Sequence, residues 1–307
     1  MKNLISNVAL LNSYVKQDGF FEKANKDYID TLTEIAKEIA EQKDKKPIIL
    51  ISGPSGSGKT TTALTIEKIL DEMGVITHTL SLDNYFKTIT DEEKILLEKG
   101  ELDLESPNRV DEVLLNEQLG KMIQGEPVEL PKYDFTAAKR VLSGKILHRK
   151  KGELVILEGI HALNPDVVTL PSDETYKIYI SVRTRVRVRN TILHPCCIRL
   201  MRRMIRDKIY RGRAYADTLK MFESVELGEE KYIMPYKHRS DHDIDTFIPY
   251  ELSVYRPKLL EELQKINTTD MVDHMVEVLA AAEPIDEEQV PTNSLIREFI
   301  GNGHFEY

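Results

Sequence analysis

Residues 48–60 read Ile48-Ile49-Leu50-Ile51-Ser52-Gly53-Pro54-Ser55-Gly56-Ser57-Gly58-Lys59-Thr60. Gly53 to Thr60 fits G-x-x-x-x-G-K-[ST] at every position. The apolar run before it has the composition of a strand buried on both faces of a parallel sheet. Thr60 to Met73 follows as a helix, closed by Gly74. A strand, a glycine-rich turn and a helix N-terminus together make a phosphate cradle. Successive N–H groups can curl around phosphate oxygens only where side chains do not block them, and the helix adds its positive dipole end. Gly53, Ser55, Gly56, Ser57, Gly58, Lys59, Thr60 and Thr61 are therefore expected to bind the phosphates of a nucleotide such as ATP. Lys59 is expected to reach the outer phosphates and the Thr60 hydroxyl to ligate Mg²⁺. The bland alternative, a glycine turn without a ligand, fits poorly when strand and helix are both in place.

Working outward, Tyr28, Leu32, Ile35, Ala36 and Ile39 form one helical stripe that ends at Lys43–Pro47. Residues 1–22 carry no clear pattern. Val75 to Leu82, Glu153 to Ile160 and Tyr176 to Val182 read as strands, and Val110 to Ile123 as a helix. Pro127 to His148 reads as a hairpin turning at Ser143-Gly144. Ile198 to Ile209 is an arginine-rich helix, and a second helix follows Arg213. Ile248 to Leu263 and Met271 to Ala282 look helical, and Leu295 to Ile300 is a short amphipathic piece. Strands alternating with helices predict an α/β fold, a doubly wound parallel sheet with ligands at the strands' carboxyl ends. Three units are expected: a helical extension over 1–46, a phosphate-binding domain over 47–282, and a tail over 283–307.

The 307 residues carry a formal charge of −9, which disfavours nucleic acid and anionic membrane as partners. Cys196 and Cys197 are the two cysteines, and adjacency makes a disulfide between them unfavourable. No run reaches the roughly 20 apolar residues that span a bilayer, and no signal peptide is visible. A reduced, cytoplasmic protein is expected; a homo-oligomer stays open.

Three further features bear on chemistry. Asp83 follows the second strand, where a carboxylate could orient the proton of an attacking hydroxyl, or merely cap the next loop. Glu158 ends the third strand, where a carboxylate could hold Mg²⁺ or its waters, or face solvent. Arg203, Arg206, Arg211 and Arg213 could belong to a lid that closes on a transferring phosphoryl group. For Arg202 a solvated helix face is the preferred reading. A P-loop alone does not separate a kinase from a nucleotide-driven regulator, but Asp83, Glu158 and the arginines favour phosphoryl transfer. A nucleic-acid enzyme is disfavoured by the charge balance.

These residues resemble the uridine kinase and phosphoribulokinase family from about Pro47 to Leu263. The likeness rests on GPSGSGKTT, SLDNYF, PKYDF, LVILEGIHALNP and RRMIRDKIYRGR. LGEEKYIMPY and SLIREFIGN are similar to bacterial uridine kinase-related nucleoside kinases, which often follow a threonyl-tRNA-synthetase-like region. That region is expected to be absent here. The resemblance implies ATP and Mg²⁺ as cofactors and a nucleoside acceptor phosphorylated at its 5′ hydroxyl. Sugars or sugar phosphates are the alternative acceptors. It implies Asp83 as general base, Glu158 as a metal-associated carboxylate and Glu105 on the ribose hydroxyls. Tyr133 and Phe86 would line the base pocket of a small hairpin subregion, with the arginine-rich helix as lid. The pattern departs at Ala138, where pyrimidine kinases of the family carry a histidine that reads the base, so weaker base discrimination is expected. Arg183, Arg185, Arg187 and Arg189 alternate along a further stretch, either as a basic wall or as a solvated edge that discourages pairing.

Overall fold

The computed structural model describes residues 5–266 and 269–305. The chain opens with β1 (Ile5–Asn7), and the Asn7 side chain caps α1 (Val8–Val15) by accepting from the Ala9 amide at 2.8 Å. After α2 (Phe20–Gln42) come β2 (Ile48–Ser52), α3 (Lys59–Glu72) and β3 (Thr77–Ser81). Helix α4 (Asp91–Lys99) starts with a reciprocal capping box: Thr90 accepts from the Glu93 amide at 3.2 Å, and Glu93 accepts from the Thr90 amide at 2.9 Å. Helix α5 (Glu112–Gln124), the hairpin β4 (Val128–Asp134) and β5 (Lys139–Leu147), then β6 (Leu154–Glu158) and β7 (Thr175–Ser181) follow. Next are β8 (Arg185–Val188), β9 (Thr191–Leu193), α6 (Pro195–Arg211), α7 (Tyr215–Tyr232) and β10 (His242–Asp245). Helices α8 (Glu251–Leu263), α9 (Asp270–Ala281) and α10 (Arg297–Ile300) complete the chain.

The central sheet has the order β10-β7-β2-β6-β3 and is parallel throughout. All five β2 residues are buried, as the uninterrupted apolar run predicts for a strand covered on both faces. Alternate residues feed two cores. Ile49 and Ile51 pack with Ile156, Ile178 and residues of α2, α3, α6, α8 and α9. Ile48 and Leu50 pack with Val155, Leu157 and residues of α5 and the hairpin. The doubly wound α/β expectation holds.

Three local expectations are corrected. The hairpin does not turn at Ser143-Gly144; residues 135–138 form the turn. Gly144 lies inside β5, where register shifts between Glu129 and Pro131. Its left-handed φ of +71° and the Ser143 hydroxyl donating to Leu130 O at 2.6 Å build a bulge. The arginine-bearing β8 is no sheet edge: it pairs parallel with β1 and antiparallel with β9 in a second sheet. The C-terminal piece is not amphipathic, because every residue from Ser294 to Ile300 is buried.

Arg202 overturns the expected solvated face. It is 0% exposed, and its guanidinium pairs with Glu251 on α8 at 2.7 and 3.0 Å. It also donates to the Thr246 carbonyl at 2.6 Å and the Gly56 carbonyl at 3.2 Å. Removing one partner from such a pair leaves a buried charge uncompensated, which costs about 3–5 kcal/mol. Glu251→Gln should therefore destabilise the protein by about 3–5 kcal/mol in urea unfolding. An unchanged midpoint would show that the pair carries no such weight.

Candidate active site

The turn between β2 and α3 is held from outside by α6 and by the segment after β10. The Ser55 carbonyl accepts from Arg199 at 3.2 Å, the Gly56 carbonyl from Arg202 at 3.2 Å, and the Ser57 carbonyl from Thr246 at 2.7 Å. In a trans peptide the N–H points opposite the C=O, so the Gly56 and Gly58 N–H groups face away from those partners. Gly56 is required on two counts: its φ is +76°, and a Cβ there would sit 2.8 Å from the Arg199 carbonyl. Gly58 caps α3 without any side-chain bond. The Lys59 ammonium donates to Pro54 O at 3.1 Å.

Lys59, Thr60, Asp83, Phe86, Glu105, Glu158, Arg203, Arg206 and Arg211 line one cavity of about 220 Å³, together with Ser55, Gly56 and Glu298. Strand pairing brings the two carboxylate positions together. Ser81, two residues before Asp83, is the register partner of Glu158 across β3 and β6. Burial pushes the Asp83 carboxyl up from its ordinary pKa, while Lys59, Arg206 and Arg211 pull it down. Glu158 is pushed to about 7, first by burial and then by Asp83, with Lys59 opposing. Burial lowers the Lys59 ammonium, and Glu158, Glu298 and Asp83 resist that shift. These three groups form one mutually dependent charge set on the cavity wall, with Glu158 the buried member.

The arginines are organised by a residue the sequence reading did not single out. Asp207 is 0% exposed and pairs with Arg211 at 3.0 Å and Arg213 at 2.8 Å. Arg203 and Arg206 approach it at 3.6 Å each. Gly212 ends α6 in the left-handed region with its amide bonded to Asp207 O, which swings Arg213 back to the same carboxylate. Arg203 also donates to the Ser55 hydroxyl at 2.8 Å. Arg213 is absent from the cavity lining. The i, i+4 spacing of Arg203, Asp207 and Arg211 was the available signal.

Beside the hairpin, Phe86 meets Tyr133 edge-on at 5.7 Å, and Tyr133 meets Phe135 at 5.1 Å. Tyr133 is buried behind Phe86 and does not line the cavity. Ala138 occupies the last turn position with φ +50°, its carbonyl accepting from Ile89 N at 3.0 Å. Glu105 sits close against α7: a Cβ on Gly228 would lie 2.3 Å from the Glu105 Cβ. Burial raises the Glu105 carboxyl, with Arg203 opposing. Behind this loop His161 is 1% exposed, with its ring nitrogens shut away from solvent. Burial drives its pKa down to about 4 against the pull of the Glu105 backbone and Asp103.

A larger groove of about 800 Å³ runs between α2 and β10 and shares no residue with this cavity. Along it His242 pairs with Glu38 and Arg183 with Asp243. Cys196 and Cys197 are free and buried. Among the described residues no group of three or more His, Cys, Asp or Glu could hold a metal, and no helix is long and apolar enough to cross a membrane.

A glycine cradle at a strand-to-helix turn, beside buried acids and clustered arginines, defines a P-loop phosphotransferase. The family described as "Phosphoribulokinase / Uridine kinase family" matches residues 48–249, and the chain belongs to it. It is a P-loop kinase, with ATP use implied by that family. A uridine kinase of Halobacterium salinarum is 28% identical over 222 residues, covering 72% of this chain and 88% of its own. A uridine kinase of Lactobacillus johnsonii is 31% identical over 201 residues, covering 64% and 85%. The solved structure of a "Possible Uridine Kinase" from Bacillus stearothermophilus has TM-score 0.44 and 19% identity, over 72% of this chain and 98% of that one.

Two expectations follow from the geometry. Asp207→Asn keeps the shape but leaves four arginines without their shared anion. It should lower kcat roughly tenfold or more with the KM for ATP little changed; a matching rise in KM would instead make the arginines ground-state binders. His161 is neutral in the fold at pH values where the unfolded chain protonates it. Its contribution is full above about 6.5 and is lost as pH falls toward 4, a span on the order of 3 kcal/mol. His161→Phe should flatten that part of the stability profile, and an unaltered acid limb would refute the assignment.

Proposed function

We propose that the protein transfers the γ-phosphoryl group of ATP to a nucleoside hydroxyl, the 5′ one, through a kinase unit spanning residues 47–282. The observation that carries this reading is one cavity lined by the cradle, Asp83, Glu105 and the lid arginines together. Such a cavity has room for phosphate, acceptor hydroxyl and base within reach of one another.

In this reading Asp83 receives the acceptor hydroxyl proton. Its raised pKa makes it a stronger base than an exposed aspartate, while Lys59 and the arginines keep its charged form accessible. Glu105 orients the ribose hydroxyls, and Arg203 opposite it limits the rise in its pKa. Lys59 leaves Pro54 O for the outer phosphates. Arg206 and Arg211 meet the charge that develops on the transferring group, and Arg213 steadies the lid through Asp207. Phe86 offers the base an aromatic face, backed edge-on by the buried Tyr133.

The residues present also fit a magnesium ion. Thr60 and Glu158 both line the cavity into which the cradle opens, and a hydroxyl and a carboxylate are oxygen donors of the kind Mg²⁺ takes alongside phosphates and water. When bound, that ion would neutralise charge on the outer phosphates.

The sugar-phosphate alternative loses its support from the arginine strip. Arg185 and Arg187 lie in the β1-β8-β9 sheet, Arg183 pairs with Asp243 at 3.1 Å, and none lines the cavity.

The test is kcat/KM over uridine, cytidine, adenosine, guanosine, ribose and ribose phosphates. Nucleosides should be turned over with base discrimination well below the roughly 10⁴-fold that a buried polar reader supplies. Ala138→His should sharpen a pyrimidine preference, and histidine tolerates the left-handed backbone there better than most residues. Activity on ribose phosphates alone would sink the nucleoside reading. A steep preference for uridine and cytidine in the natural chain would remove Ala138 from the argument.

A further inference from the structure

The C-terminal segment ends in the phosphate cradle. Glu298 lines the same cavity as Lys59 and Thr60, and is 7% exposed. One of its carboxylate oxygens accepts from the Thr61 amide at 3.1 Å and from the Thr61 hydroxyl at 2.7 Å. Thr61 lies in the first turn of α3, where amide groups have no partner within the helix. Such amides are the donors a helix N-terminus offers to phosphate. Glu298 therefore presents an anionic oxygen to donors that the cradle would offer a nucleotide.

Two further contacts fix the segment there. Leu295 packs so closely on the cradle that a Cβ on Gly58 would lie 2.8 Å from its side chain. Phe299 lies under the Arg202 guanidinium at 5.2 Å, and Arg202 itself holds the Gly56 carbonyl. Arg297 ties the segment to the carbonyls of Glu287 at 2.9 Å and Gly301 at 3.3 Å. The carboxylate is thus delivered by a packed element and not by a loose tail.

We infer that Glu298 is a donor-site residue that competes with the nucleotide for the Thr61 amide and hydroxyl, so that the C-terminal segment sets the affinity for ATP. A carboxylate and a phosphate cannot share one pair of donors, and close approach of the two anions is itself unfavourable. The Glu298 side chain must swing away for the cradle to close fully on phosphate. The field of Glu298 also helps keep Lys59 protonated, so the free site is charge-balanced while it waits. This rests on the P-loop as the nucleotide site and is independent of which acceptor is used.

The experiment is calorimetric binding of Mg²⁺–ADP to the full chain without any acceptor. Glu298→Gln and Glu298→Ala should each bind about tenfold more tightly than the natural chain, the scale of one charge contact. A residue that merely braces α3 would give the opposite sign, weaker binding. Equal or weaker binding in a folded variant overturns the inference. Should neither variant fold, amide exchange in the natural chain decides. The Ile300 and Gly301 amides, bonded to Ile296 O at 3.1 Å and Arg297 O at 2.9 Å, should exchange faster when ADP is bound. Unchanged or slower exchange there overturns it as well.

Discussion

One guanidinium joins the parts of this protein that phosphate binding needs to hold still. Arg202 reaches Glu251 on α8, Thr246 after β10 and Gly56 in the cradle, and stacks on Phe299 of α10. No part of it meets solvent. Burial alone would drive its pKa down, but Glu251 outweighs that and holds it above the ordinary value. Taking both ions out of water costs several kcal/mol each, which their attraction offsets only with good geometry and full hydrogen bonding. That demand for satisfaction is what couples the cradle to the core: any shift of Gly56, Thr246 or α8 leaves a buried charge short of a partner.

The cradle then inherits a balance of charges. Lys59 would lose its proton more readily if Glu158, Glu298 and Asp83 were absent. Asp83 would be more fully protonated without Lys59, Arg206 and Arg211, and Glu158 without Lys59. A free site that is neither strongly basic nor strongly acidic can admit a polyphosphate without a large reorganisation of the protein. Asp207 performs the same service one layer out. Four guanidinium groups converge on it, so repulsion among them is reduced before any phosphate arrives. Of the four, the Arg211 side chain is half exposed at 51%, whereas that of Arg203 is 10% exposed. Arg211 is the member with freedom to move toward a ligand.

Much of this could be read from the chain alone, and the failures have physical causes. The strand-glycine-helix signal is local, so β2, the cradle and α3 were legible. Residues that act through distant partners were not. Arg202 and Arg203 are adjacent in sequence, yet one is sealed in the core because Glu251 lies 49 positions away. Periodicity cannot announce that partner. Strand β8 looked like a protected edge because its neighbour β1 comes from residues 5–7, a stretch without pattern. The bulge at Ser143-Gly144 looked like a turn because both use a left-handed glycine. Leu295 to Ile300 looked amphipathic because Arg297 and Glu298 are charged. Arg297 satisfies itself on backbone carbonyls, and Glu298 on Thr61.

The hairpin bears on the proposed acceptor site through its backbone as well as its chemistry. Ala138 sits where the chain leaves the hairpin turn with positive φ, and its carbonyl anchors Ile89. The hairpin is thereby tied to the segment that follows Phe86. Tyr133 is fixed in turn by Asn84, whose side chain accepts from the Tyr133 amide at 3.2 Å. The aromatic wall is therefore held through its backbone and does not depend on a polar group at its rim. An aromatic face attracts any flat base through stacking, which varies little from base to base. A polar reader at residue 138 would add the cost of leaving that group unpaired against the wrong base. On the proposed nucleoside reading, discrimination without it would fall to shape and stacking. On that reading, such a site would hold its acceptor more by the sugar than by the base.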